Sequence, residues 1–84
     1  MDMYEKEEQL GFEFFSNADG KNAIKHYKLA IKYGSQRAYA YIGELYLYGI
    51  CGIKKNLKEA MIYINLNSLL HVVTTRKFTL PQVA

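Results

Sequence analysis

Ala38-Tyr39-Ala40-Tyr41-Ile42-Gly43-Glu44-Leu45-Tyr46-Leu47-Tyr48-Gly49 is the stretch on which the reading of this chain turns. Gly52-Ile53 follow it closely, and Ala60 and Tyr63 come further on. Small residues and aromatics recur here at helical spacing, stop at a glycine loop and resume on a second helix. Small residues let two helix backbones approach closely, and aromatics fill the seam between them. The pattern therefore predicts an antiparallel helix hairpin of the kind that stacks as a repeat unit.

The same grammar occurs earlier in the chain. Leu10-Gly11 matches Ile42-Gly43 and Phe14 matches Tyr46, each at an offset of 32 residues. On the second helices Ala23 matches Ala60 and His26 matches Tyr63, at an offset of 37. The difference is the longer loop of the second hairpin. Four helices follow. The first runs from about Asp2 to Ser16, with Leu10, Gly11, Phe14 and Phe15 on its buried side. The second runs from about Gly20 to Tyr33, capped by Asp19 and stopped at Gly34. Its apolar residues Ala23, Ile24, Tyr27, Ala30 and Ile31 form one amphipathic stripe. The third runs from about Ser35 to Tyr48 with Ser35 as its cap. The fourth runs from about Leu57 to Leu70, capped by Asn56. Beyond it, Val72, Val73, Thr74, Thr75, Phe78 and Thr79 favour extended structure and Pro81 forbids helix. An extended arm is expected from 71 to 84.

These residues resemble known helical repeats. Leu10, Gly11, Phe14, Ala23, Tyr27 and Ala30 are similar to a tetratricopeptide repeat. Ala38, Ile42-Gly43, Tyr46, Gly49, Gly52-Ile53, Asn56, Ala60 and Tyr63 resemble its Sel-one-like variant. Cys51 departs from that motif as one extra loop residue, Glu59 stands where Lys is common, and Asn67 and Ser68 replace a usual Ala pair. The resemblance implies an all-α fold of the α-α superhelix class. It would be one domain over 1–84, with a tetratricopeptide-like hairpin over 2–34, a Sel-one-like hairpin over 35–70 and the extended tail. It also implies a scaffold that holds other proteins. Gly11 and Gly43 cost about 1 kcal/mol each in helix propensity against Ala, so close packing of the facing helix is their expected purpose.

Composition narrows the classes further. In 84 residues, 50% are hydrophobic, and the aromatics are eight Tyr and four Phe with no Trp. That excludes a disordered chain. The net charge of +3 is unevenly spread. Asp2, Glu5, Glu7, Glu8 and Glu13 crowd the first helix, while Lys21, Lys25, Lys28 and Lys32 share one face of the second. Such a dipolar surface suits steering or complementary packing. One cysteine, Cys51, allows no internal disulfide and suggests the cytoplasm. The acidic start does not read as a signal peptide, and no apolar run is long enough for a membrane span.

Catalytic chemistry is not written in the chain. His26 and His71 have no Cys or carboxylate at metal-ligand spacing, and His26 falls on a packing position. Cys51 and His71 do not make a convincing nucleophile pair, and Gly49-Ile50-Cys51-Gly52 lacks the Lys-Ser/Thr ending of a phosphate loop. No enzyme activity, no cofactor and no metal are expected. The lysine stripe, Lys54-Lys55 with Lys58, and Arg76-Lys77 are the rival signal, for nucleic acid. The acidic first helix and the small net charge argue against it.

A protein partner is the leading expectation, with self-association into a homodimer as an alternative. In such repeats the first helix of each hairpin lines the binding face. The residues there that the seam does not need are Glu5, Glu8, Phe12 and Phe15, then Arg37, Tyr41, Glu44, Leu47 and Tyr48. Tyr39, Ile42 and Tyr46 are expected to face the seam. Tyr41 and Tyr48 are then surplus aromatics, a residue type that dominates binding hot spots.

Overall fold

The computed structural model describes residues 2–67. Three helices, α1 (Met3–Ser16), α2 (Gly20–Lys32) and α3 (Ala38–Tyr48), are followed by a fourth, α4, from residue 57 to 67. No strand occurs among the described residues. The expected end of the fourth helix and the extended arm over 71–84 lie outside them.

The short turn between α1 and α2 brings the two helices back against each other as a hairpin. Its capping is reciprocal. The Asp2 carbonyl accepts from the Glu5 and Lys6 amides, and α1 ends with the Asp19 amide donating to the Phe14 carbonyl and the Ala18 amide to that of Phe15. The Asp19 carboxylate then accepts from the Asn22 amide at 3.2 Å and from its side chain at 2.8 Å, starting α2. Those hydrogen bonds hold the Asp19 carboxyl below its ordinary range. At the far end of α2, Gly34 takes the left-handed region at φ 109° while Ser35 and Gly34 donate back to Ala30 and Ile31.

The third helix begins at Ala38, later than the sequence suggests. Ser35 still caps it: its hydroxyl accepts from the Ala38 amide at 3.2 Å. Residues 35–37 form a turn instead of helix because that hydroxyl also donates to Glu8, which ties the turn to α1. Asn56 caps α4 through the Glu59 amide at 3.0 Å, as its position suggests.

The core is Ala23, Ile24, Tyr27 and Ala30 from α2 against Ala38, Ile42 and Leu45 from α3, with Ala60 of α4 sealed off from solvent. Ile42 and Leu45 are its two largest fully buried side chains. Each is worth about 1.5–3 kcal/mol on transfer from water. Ile42 takes the expected seam position. Tyr39 and Tyr46 are only half-buried, and Leu45 supplies the burial that a seam of tyrosines would have supplied. A phenol keeps its hydroxyl wet, so an aliphatic residue wins the innermost place.

Contacts repeat from one hairpin to the next at the offsets of the sequence. A Cβ on Gly11 would stand 2.6 Å from the Tyr27 ring, and one on Gly43 would stand 2.9 Å from Ile64, which holds Tyr27's place in α4. Phe14 stacks on His26 with ring centroids 5.2 Å apart, and Tyr46 stacks on Tyr63 at 6.2 Å. His26 is therefore a core-edge residue, fixed also by the Glu7 carboxylate 2.7 Å from Nδ1.

A groove between the first helices of the two hairpins

α1 and α3 present their outer residues on the same side of the molecule, with α2 behind them. Between them lies a hollow of about 310 Å³ lined by Glu8, Phe12, Phe15, Tyr27, Tyr41 and Glu44. Five residues read from the sequence as the binding face thus meet in one groove: Glu8, Phe12, Phe15, Tyr41 and Glu44. Phe12 and Phe15 lie 6.2 Å apart on the α1 wall, and Tyr27 and Tyr41 lie 5.1 Å apart on the other side. Phe12 is 59% exposed and Tyr41 36%, large apolar areas for side chains free of the seam.

Glu8 does not stay free. It is buried, and Arg37 approaches its carboxylate at 2.7 Å through Nη2 and at 3.0 Å through Nε, while Ser35 donates from the other side. Burial pushes the Glu8 carboxyl up, and the hydrogen bonds from Arg37 and Ser35 with the Arg37 charge outweigh it, leaving the group below its ordinary value. The Glu8 carboxylate is thus engaged within the fold, while Arg37, 64% exposed, reaches it from the surface. A second, shallower hollow lies beyond this clasp, lined by Tyr4, Glu5, Gly34, Gln36 and Asn67 together with Glu8 and Arg37. Glu5 belongs there.

Leu47 and Tyr48 line neither hollow. Leu47 is half-buried, and Tyr48 stands 64% exposed at the end of α3. Tyr27 is the groove residue that the sequence did not mark for this role. Its spacing already assigns it to the seam, and it both packs in the core and lines the hollow. Burial first, then the neighbouring Tyr41, Glu8, Cys51 and Glu44, push its phenol up to about 12.

Away from the groove, Lys21, Lys25 and Lys28 of α2 border a hollow over Ile53 and Tyr46, and Lys54 and Lys55 border an adjoining one that shares Lys21. Two lysine clusters that are distant in sequence thus converge. Among the described residues no group of His, Cys, Asp and Glu could hold a metal ion, and no helix is long and apolar enough to cross a membrane. No family model, curated protein or solved structure matches the chain.

Proposed function

We propose that this is a small helical-repeat module of the tetratricopeptide and Sel-one-like kind, an α-α superhelix of two hairpins. It works in the cytoplasm by binding another protein, as an adaptor, inhibitor or immunity-type partner, and has no catalytic activity. The observation that carries this reading is the α1/α3 groove, where Phe12 and Tyr41 expose large aromatic surfaces that the fold does not use. Rigid aromatic anchors around a concavity are what interface hot spots are made of. Leu47, Tyr48 and Glu5 would form the rim of such an interface.

The test is capture of partners from native lysate by the wild type and by a Phe12→Ala/Tyr41→Ala variant, with circular dichroism confirming that both are folded. A protein held by the wild type and released by the variant supports the reading. Equal retention by both removes the groove from the interaction. The converging lysines favour one second reading, a nucleic-acid-associated regulator. It predicts binding to single- or double-stranded nucleic acid that weakens steeply with salt and is lost in Lys25→Gln/Lys54→Gln. A self-associating structural subunit would instead show a saturable rise in mass with concentration and no ligand.

A further inference from the structure

We propose that the α1/α3 groove is a seat for a single cationic side chain, a Lys or Arg presented by a basic segment of the partner protein; this rests on protein binding through that groove. Four aromatic rings from three helices surround the hollow: Phe12, Phe15, Tyr27 and Tyr41. Ring faces carry the negative end of the aromatic quadrupole, so a cation within about 6 Å of a ring centroid is attracted. A ligand with an aliphatic stem and a charged head suits such a hollow best, because the stem covers the rings while the head reaches the rim.

The polar groups choose the sign of the charge. Glu44 stands exposed at the rim and makes no ion pair among the described residues, whereas the Glu8 charge is already taken by Arg37. Tyr27 lines the hollow, and since no buried side-chain oxygen among the described residues lacks a partner, its hydroxyl, which bonds to none of them, opens to solvent there. Because the phenol stays protonated at neutral pH, its oxygen offers lone pairs to an incoming N–H. An anionic occupant would face the unpaired Glu44 carboxylate. A wholly apolar one would cover the Tyr27 hydroxyl without a partner, which is costly. A cationic head satisfies both.

The experiment is an amide-resolved NMR titration of the full chain with three blocked alanine pentapeptides that carry a central arginine, lysine or norleucine. The arginine and lysine peptides should shift the amides of Phe12, Tyr41 and Glu44 saturably, and added salt should weaken them. The norleucine peptide should not bind. Glu44→Gln, at an exposed site with no packing role, should weaken the cationic peptides about threefold or more, as should Tyr41→Leu. Equal binding of norleucine overturns the proposal, and so does the absence of any response. If the peptides bind only after Arg76→Gln/Lys77→Gln, the seat belongs to the chain's own basic tail and the partner assignment fails. If the same amides shift on concentrating the protein alone, the occupant is a second copy and the assignment fails as well. Should lysate capture still depend on Phe12 and Tyr41 while the peptides do nothing, protein binding stands and only the cationic seat falls.

Discussion

Gly11 and Gly43 hold equivalent positions, but the atoms facing them differ in how far they can give. A methyl at Gly11 meets ring atoms of Tyr27 at 2.6 and 2.7 Å, and that ring is wedged in the core. A methyl at Gly43 meets one Ile64 carbon at 2.9 Å, with the Ala60 carbonyl at 3.4 Å. The Gly43 contact involves a single atom and is less close, but that atom is the γ carbon of a β-branched residue that is stiff on a helix, so relief needs a small shift of the facing helix. Gly11→Ala should therefore cost roughly 1–3 kcal/mol from overpacking, which the helix-propensity gain of about 1 kcal/mol does not cancel. Gly43→Ala should cost less than Gly11→Ala, and Gly43→Leu should break the second hairpin. Urea unfolding of the three variants checks the order. Glu8 gives a second prediction at this scale. Its folded-state value lies below that of an ordinary carboxylate, so its stabilisation is complete above the ordinary carboxylate range and is lost as pH falls through the folded value. Glu8→Gln should lower stability at neutral pH by roughly 1 kcal/mol, the scale of one hydrogen-bonded group. Acid titration of unfolding should then show the wild type and the variant converging at low pH.

The ends of the helices show what local sequence can and cannot say. Asp19, Gly34 and Asn56 mark boundaries because each supplies a side-chain acceptor or a left-handed turn where a helix needs one. The start of α3 is less legible, because Ser35 serves two masters: it caps Ala38 and anchors Glu8 across 27 residues. The end of α1 hides more. Ala18 adopts φ 60°, the left-handed conformation, and its hydrogen-bond pattern copies that of Gly34 at the end of α2. Nothing in an alanine announces this. The turn sets it, since the Ala18 and Asp19 amides must both reach back into α1 before Asp19 can begin α2. A side chain in this conformation costs about 1–2 kcal/mol that glycine avoids. Ala18 is exposed, so no packing is lost on its removal. Ala18→Gly should stabilise the protein by about 0.5–1 kcal/mol after the entropy of the glycine is counted, read as a rise in thermal midpoint.

At the scale of the molecule, the resemblance to helical repeats suggested the first helix of each hairpin as the face, and of the nine residues named on that ground Glu8, Phe12, Phe15, Tyr41 and Glu44 line one hollow. Tyr27 could not be named on that ground, since a pattern assigns each residue one side. The longer loop of the second hairpin is the other feature whose use only the fold discloses. Its extra residues turn back on the first hairpin: the Gly20 amide donates to the Cys51 carbonyl at 2.8 Å, and the Cys51 thiol reaches the Phe15 carbonyl at 3.5 Å. A Cβ on Gly20 would lie 2.4 Å from Ile53 and 2.7 Å from that Cys51 oxygen, so glycine there is the condition for the loop to close. A loop that fastens one hairpin to the other adds to what holds the two together. Gly20→Val should open this clasp. The expected result is a lower urea midpoint together with faster reaction of the half-buried Cys51 thiol with a water-soluble disulfide reagent, under conditions where α1 and α2 remain helical. A variant that loses stability while Cys51 reacts at the wild-type rate would show that the loop contributes nothing to holding the hairpins together.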